Sequence, residues 1–153
     1  MPVLAAAIRR FNLTAPIVEA VHEPVALINL TDQAEGSVCE PSFLQNKKVG
    51  AFCSIADSAS FKRTLENLGA DPVVFLPFLD HHVYSFSDVE EILSRCRQEN
   101  LCFFVTTQKD AVKLTPFLPL FRKKGVLFNL KIKIRLTQGQ DEFFRRVSNL
   151  HQR

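Results

Sequence analysis

The sequence lacks the glycine-rich loops with which many nucleotide-binding proteins hold phosphate groups. Its 153 residues include only five glycines, and these stand far apart. Neither GxxxxGK(S/T) nor GxGxxG occurs. Both motifs depend on glycine because it lets backbone N–H groups approach a phosphate closely. The sequence therefore excludes a P-loop and a dinucleotide-binding fingerprint within this stretch of chain.

Other absences narrow the class of protein. No stretch approaches the ~20 apolar residues that a membrane-spanning helix needs. The first apolar residues precede Arg9 and Arg10, whereas a signal peptide carries its positive charge first. We therefore expect a soluble chain without a transmembrane or signal segment. The four cysteines form no CxxC pair, which excludes a zinc ribbon, and we expect all four to be reduced in a cytosolic protein.

The composition is that of a soluble globular protein, with 46% apolar residues, 23% charged residues and a net charge of +3. A nucleic-acid-binding protein usually has a denser basic stripe, so we expect no nucleic-acid partner. The basic residues do form one cluster in the sequence. These residues either line a solvated edge or strand face or contact phosphates, nucleotide or anionic lipid headgroups. They are Arg122, Lys123, Lys124, Lys131, Lys133 and Arg135.

Apolar strand patterns alternate with helical patterns from residue 49 to the end. Predicted strands cover 49–53, 73–78, 101–105 and 126–136. The first predicted helix begins at a Ser58 cap and ends at Gly69, and the second begins at a capping box over 87–90. The third begins at Thr107 and is kept short by the prolines at 116 and 119, and the fourth covers 140–150. This alternation predicts an α/β fold: a mostly parallel sheet flanked by helices, in a three-layer sandwich.

The amino-terminal part has a different pattern. Pro16 and Pro24 bracket one extended segment, and residues 25–30 form a second predicted strand. Residues 31–42 are polar and contain Gly36 and Pro41, which is typical of a loop or linker. We place a domain boundary there, between a strand-like segment at 1–43 and an α/β domain at 44–153.

Three polar clusters follow three successive predicted strands, at 54–58, 80–82 and 106–110. In parallel sheets, ligands bind outside the carboxyl ends of the strands. We therefore expect these three loops to meet at one rim of the sheet and to form the functional site.

Asp80 and the adjacent His81 are the sharpest candidates for chemistry. A carboxylate beside an imidazole can fix its tautomer or stabilise its protonated form. The alternative is a polar loop with two surface histidines. A metal site would need a third ligand, and none stands at a suitable spacing, so we predict no metal site. Lys109, in the first turn of a predicted helix, either faces an anion or pairs with Asp110 or a neighbouring carboxylate.

Three segments resemble one enzyme family. Residues 48–61 with 64–69 resemble the segment that opens the second half of tetraacyldisaccharide 4'-kinases, also called lipid A 4'-kinases. Residues 78–84, Phe-Leu-Asp-His-His-Val-Tyr, resemble that family's Phe-Pro-Asp-His-x-x-Tyr stretch. Residues 105–114 are similar to its Thr-Glu-Lys-Asp-Ala-Val-Lys signature. The resemblance covers nearly the whole chain in order, but only the C-terminal half of the family's length.

The resemblance implies transfer of the ATP γ-phosphate, with Mg²⁺, to the 4'-hydroxyl of a tetraacylated glucosamine disaccharide in lipid A synthesis. It implies peripheral association with the cytoplasmic side of the bacterial inner membrane. In this family an N-terminal domain carries the P-loop, the metal ligands and the membrane-associating surface. The lipid substrate and ATP would bind mainly there. Residues 1–43 would be an inter-domain hinge segment, and this chain alone would be inactive.

The resemblance also implies roles for individual residues. His81 matches the family's functional histidine, which supports a catalytic aspartate in the other half, and Asp80 accompanies it as a catalytic residue. Thr107, Lys109 and Asp110 match the signature, and we expect them to line the nucleotide or phosphate cleft.

The chain departs from the family pattern at several positions. Ser54 replaces a usual glycine, Asp57-Ser58 replaces Asn-Pro, Leu79 replaces proline, and Gln108 replaces the signature glutamate. These departures leave open an alternative, a non-catalytic module of the same fold that is either decayed or a binding domain.

Overall fold

The computed structural model describes residues 2–32 and 37–150. The helices are α1 (Pro2–Arg9), α2 (Ser58–Asn67), α3 (Phe86–Gln98), α4 (Gln108–Ala111), α5 (Leu118–Arg122) and α6 (Gln140–Leu150). The strands are β1 (Glu19–Asn29), β2 (Val38–Cys39), β3 (Lys48–Cys53), β4 (Asp71–Pro77), β5 (Phe103–Thr107) and β6 (Val126–Gln138). Short 3-10 helices cover Pro41–Leu44 and Val112–Phe117. Gly36 of the predicted 31–42 loop lies outside the described residues.

The chain divides into two compact units. The smaller combines Met1–Glu23 with Lys133–Arg153, and the larger covers Pro24–Ile132. The larger unit contains the three polar loops of the predicted site, so the site can be described within one unit.

The sheet has the strand order β2-β1-β6-β5-β3-β4. β3 pairs in parallel with both β4 and β5, and β5 pairs in parallel with β6. β2 is antiparallel to β1. The predicted α/β fold with a mostly parallel sheet flanked by helices is therefore confirmed.

Side chains of the central strands alternate between two apolar layers. Ala51 and Cys53 of β3 lie in a cluster with Phe61 and Leu65 of α2. Phe52, between them, lies in a second cluster, on the opposite face of the sheet because successive strand residues point to opposite faces. That cluster includes residues of α3, the second 3-10 helix and α5: Val89, Ile92, Cys96, Leu114 and Phe121. Burial on both faces explains why these strands read as continuous apolar runs.

Both helix starts that we predicted with specific caps are shifted. The N-cap of α2 is Asp57, whose side chain accepts the Ser60 N–H at 2.9 Å, and Ser58 is the first helical residue. The capping box of α3 joins Ser85 and Asp88, two residues before the predicted box at 87–90. The predicted end of α2 is confirmed, because Gly69 follows the helix in the left-handed region at φ 79°, a conformation that glycine adopts without steric cost. The prolines do not end the helical chain: α4 is short, but Pro116 lies inside the 3-10 helix that follows it and Pro119 in the first turn of α5.

The two longest strands also differ from expectation. β1 runs through Pro24 as one strand, so the predicted split into two strands is wrong. The two residues of β2 pair with Leu27 and Ile28. Pro24 lies before this paired segment, so its missing N–H removes no hydrogen bond to β2. β6 is not half-exposed throughout: Leu127 to Leu130 are buried, whereas Ile134 is 64% exposed.

The smaller unit contains α1, α6 and the outer parts of β1 and β6. Within it, Arg135 of β6 forms a 3.1 Å ion pair with Glu23 of β1. Within the described residues, none of the helices combines the length and the apolarity that crossing a bilayer requires.

Candidate active site

The three polar loops meet at the carboxyl ends of β3, β4 and β5, as the sequence predicts. The loop after β3 contacts the loop after β5 through Ser54 and Asp110, 56 residues apart. The loop after β4 contacts the loop after β5 through Asp80 and Lys109, 29 residues apart. These contacts build one site from three distant segments.

Asp110 is the fully buried centre of this site. Its carboxylate accepts the Ser54 backbone N–H at 2.8 Å and the Thr107 hydroxyl at 2.7 Å, and it also accepts the Ser54 hydroxyl. The Lys113 ammonium lies 3.1 Å from its other oxygen. Thr107 is the N-cap of α4 and accepts the Asp110 N–H in return. The network ties the ends of β3 and β5 together.

The charge of Asp110 is compensated within the interior. Burial by itself raises the pKa of this carboxyl, but hydrogen bonds from Ser54, Thr107 and Lys113 outweigh burial and hold the pKa below its ordinary value. The group is therefore an ionised carboxylate at neutral pH. Asp110 and Thr107 are both buried beneath the rim. That they line a nucleotide or phosphate cleft stays a prediction.

Lys113 is a member of the site that we did not single out. Its ammonium donates to the Ser54 hydroxyl at 2.7 Å and to the His82 carbonyl at 3.0 Å, in addition to Asp110. One cation therefore contacts all three loops. The sequence did offer a signal for Lys113. It is the second lysine of the Thr-Glu-Lys-Asp-Ala-Val-Lys signature, four residues after Lys109, and residues at this spacing lie on the same face of a helix.

Asp80 and Lys109 form the exposed part of the rim. The Lys109 ammonium donates to Asp80 at 2.8 Å, and both side chains are 40% exposed. This hydrogen bond lowers the pKa of the Asp80 carboxyl below its ordinary value. Lys109 therefore pairs with a carboxylate from another loop, and Asp110, its sequence neighbour, pairs with Lys113 instead.

His81 projects from the same loop into solvent. Its side chain is 79% exposed, and its Nε2 lies 3.7 Å from an Asp80 oxygen. Its backbone adopts φ 62°, a left-handed conformation that costs a non-glycine residue roughly 1–2 kcal/mol. The Asp80 side chain accepts the His81 N–H at 3.0 Å. The loop thus presents an accessible imidazole beside a carboxylate.

His82 turns the other way, into the protein. Its Nε2 lies 3.0 Å from an Asp88 oxygen of α3. Its ring stacks on Phe78 with centroids 4.8 Å apart and meets Tyr84 edge-on at 5.4 Å. The sequence alone did not separate the two histidines, because the left-handed backbone of His81, which turns the two rings apart, cannot be read from an Asp-His-His string.

The aromatic residue that closes the loop is Tyr84. It is 4% exposed, and its hydroxyl has no hydrogen-bond partner within the described part of the chain. Burial raises the pKa of this phenol well above its ordinary value, so the hydroxyl is neutral. Tyr84 packs against Phe52 and Phe78 and covers the apolar cluster beneath the loop.

The arrangement is suited to proton transfer and anion contact. The exposed imidazole of His81, beside the Asp80 carboxylate, can take up or relay a proton. The Lys109 ammonium has three N–H donors, so it can bind a phosphate oxygen while it still donates to Asp80. Residues 2–32 and 37–150 contain no cluster of three His, Cys, Asp or Glu side chains able to hold a metal ion.

Comparison with known proteins places the chain in one family. The family model described as Tetraacyldisaccharide-1-P 4'-kinase matches residues 4–151. The chain is 37% identical over 103 residues to a tetraacyldisaccharide 4'-kinase from Syntrophus aciditrophicus, covering 67% of this chain and 27% of that protein. It is 48% identical over 75 residues to one from Agrobacterium fabrum, covering 49% of this chain and 21% of that protein.

A solved structure shares the fold. The crystal structure of LpxK from Aquifex aeolicus, an "apo" form in complex with ATP, aligns with a TM-score of 0.54 and 21% identity over 89% of this chain and 36% of that one. The chain thus spans about a quarter of the length of these curated relatives and about a third of the solved structure.

Proposed function

The chain belongs to the tetraacyldisaccharide-1-P 4'-kinase family, and on that premise we propose that it forms the C-terminal portion of a lipid A 4'-kinase. The reaction is transfer of the ATP γ-phosphate to the 4'-hydroxyl of a tetraacylated glucosamine disaccharide. The observation that carries the proposal is the family match over residues 4–151. The convergence of three polar loops at one rim supports it.

The proposal divides the work between this chain and a preceding domain. Phosphoryl transfer relies mainly on positioning and on charge stabilisation of the phosphates. This sequence has no P-loop, and its described residues offer no metal cluster. ATP, Mg²⁺, the lipid and the inner membrane are therefore proposed partners of the complete enzyme, with residues 1–43 as the hinge segment. The 153-residue chain alone should show no kinase activity.

Within this chain, the proposed catalytic residues are Asp80 and His81. The exposed His81 imidazole would support the group that takes the proton of the 4'-hydroxyl, and Asp80 would orient that imidazole. Lys109 would contact a phosphate oxygen at the cleft. Thr107 and Asp110 would hold this rim in place through the buried network, which keeps Lys113 and the His82 carbonyl together.

The test is an activity assay of the chain fused behind the N-terminal part of a relative. The assay contains ATP, Mg²⁺ and the tetraacyl disaccharide, and compares the native fusion with His81→Ala. We expect an active fusion and a fall in kcat of about 100-fold or more in the variant, the usual order for losing a positioned proton-transfer group. The matched control is His22→Ala, which removes an exposed histidine of β1.

Each outcome has a distinct meaning. A folded but inactive native fusion would reject the kinase proposal and favour the alternative, a non-catalytic module of the same fold. An active fusion unaffected by His81→Ala would keep the kinase assignment and remove His81 from the site. Turnover by the 153-residue chain alone would contradict the proposed division between two domains.

A further inference from the structure

The residue that follows the candidate catalytic histidine is held more firmly than the histidine itself. The His82 N–H donates to the Leu79 carbonyl at 3.0 Å, and the His82 carbonyl accepts from Lys113 at 3.0 Å. Its ring contacts the Asp88 carboxylate on one edge and the Phe78 ring on one face. Both backbone groups and the side chain of His82 are therefore fixed.

His81, the neighbour of this fixed residue, has a strained backbone. His81 occupies the left-handed region, which few non-glycine residues adopt, and such conformations persist only where surrounding contacts determine them. The side chain of His81 supplies little of that restraint because it is 79% exposed. The restraint must come from the residues on either side: Asp80, tied to Lys109, and His82, tied to Asp88 and Lys113.

We propose that His82 is a positioning residue, which clamps the loop to α3 and thereby holds His81 turned out towards the reacting groups. The proposal rests on the function proposed above, and it assigns a role to a position that the Phe-Pro-Asp-His-x-x-Tyr resemblance leaves unspecified. His82 itself does not touch substrate, because its ring is directed to Asp88 and to the aromatic residues beneath the loop.

The Asp88 carboxylate that holds His82 also belongs to the N-terminal cap of α3. The same carboxylate that meets His82 accepts the Ser85 N–H at 2.7 Å and closes the capping box of α3. The hydrogen bonds from Ser85, with that from His82, lower the pKa of the Asp88 carboxyl, so it is ionised at neutral pH. The loop is thus fastened to the first turn of a 13-residue helix.

The first measurement is amide hydrogen exchange on the full 153-residue chain, which requires no kinase activity. In His82→Ala we expect the amides at positions 81 and 82, which donate to the Asp80 side chain and the Leu79 carbonyl, to exchange at least about tenfold faster, since local opening becomes easier. The Phe78 amide, bonded to the Cys53 carbonyl at 2.8 Å, should be unchanged. Asp57→Ala is the matched control: it removes the N-cap of α2, whose side chain accepts the Ser60 N–H, and leaves both His82 and Asp88 in place. It should lower stability without loosening the loop.

The second measurement is steady-state kinetics of the fused enzyme. We expect His82→Ala to lower kcat by about tenfold or more with KM for ATP nearly unchanged, because a misplaced His81 affects the transition state and not nucleotide binding. His82→Gln, which keeps a side-chain donor for Asp88, should recover most of the lost kcat.

The outcomes separate the two proposals. An inactive native fusion would reject the kinase proposal, and the exchange experiment would still decide whether His82 holds the loop. Unchanged exchange at positions 81 and 82 in His82→Ala would overturn the positioning role. Faster exchange with an unchanged kcat in an active fusion would also overturn it, since the loop would then not position a catalytic group.

Discussion

Asp80 and Lys109 join two loops that are 29 residues apart in sequence, with 2.8 Å between the carboxylate oxygen and the ammonium nitrogen. The pair stands above a second and deeper ion pair, between Asp110 and Lys113. The exposed pair contains candidate functional groups, and the buried pair holds the loops that carry them. The two pairs therefore respond differently to mutation.

Removal of the exposed cation should change the titration of Asp80. The Lys109 hydrogen bond lowers the pKa of this carboxyl, so we expect Lys109→Met to raise that pKa towards its ordinary value. Carboxyl NMR titration of the 153-residue chain measures this directly. Lys62→Met, which removes another exposed lysine, paired with Glu66 at 3.8 Å, should leave Asp80 unaffected. An unchanged Asp80 titration in Lys109→Met would contradict the pair.

Removal of the buried carboxylate should be much more costly. Asp110→Ala removes the acceptor of the Ser54 N–H and of the Thr107 hydroxyl and takes the carboxylate partner from Lys113, and such losses cost about 3–5 kcal/mol of unfolding free energy. Urea denaturation provides the measurement. The control Glu91→Ala removes an exposed carboxylate paired with Arg95, and should cost less than about 1 kcal/mol. Equal losses in both variants would refute the central role of Asp110.

The contribution of Asp110 should depend on pH. Its folded pKa lies below the ordinary value of 3.8, so its stabilising effect is complete above that value and is lost as pH falls towards the folded pKa. The stability difference between the native chain and Asp110→Asn should therefore be constant near neutrality and smaller at about pH 3. Urea titrations of both proteins at each pH test this. A difference that grows on acidification would show that the sign is wrong.

Gly50 should tolerate no side chain while Cys96 keeps its thiol. A Cβ at Gly50 in β3 would overlap the Cys96 Sγ of α3, which is itself buried. We expect Gly50→Ala to lower the unfolding free energy by roughly 1–3 kcal/mol through overpacking. The double variant with Cys96→Ala should recover part of that loss in a double-mutant cycle. Strictly additive effects would mean that the two residues do not meet.

The cysteines should differ in reactivity towards a thiol reagent. Burial raises the pKa of Cys53 and Cys96 to about 11, and both side chains are enclosed, so neither forms a reactive thiolate in the folded chain. Cys102 is exposed and Cys39 is partly so. We expect rapid labelling at Cys102, which Cys102→Ser abolishes, and labelling at Cys53 and Cys96 only on unfolding. Rapid labelling of four thiols at neutral pH would contradict the packing.

The alternation of apolar runs and helical patterns determined the fold class from sequence. Parallel strands with both faces covered have few polar positions, so β3 and β5 were visible as continuous apolar runs. The placement of polar clusters directly after them was enough to predict a common rim, since all parallel strands end at the same edge. Helix starts were less certain because several Ser and Asp residues stand within reach of each first turn, and Asp57 and Ser85 cap where Ser58 and Ser87 had been expected.

The tertiary structure alone decided which side chains meet. The sequence left an anion, Asp110 or a neighbouring carboxylate as the partner of Lys109. In the structure Lys109 pairs with Asp80 and Asp110 pairs with Lys113, because adjacent residues at a helix start point in different directions. Lys113 and His82 became site residues because folding brings a strand end, a loop and a helix, through Ser54, His82 and Asp110, to 2.7, 3.0 and 3.1 Å from one ammonium group. Local pattern specifies strands and helices, whereas hydrogen bonds between residues 29 to 59 positions apart exist only once the sheet has formed.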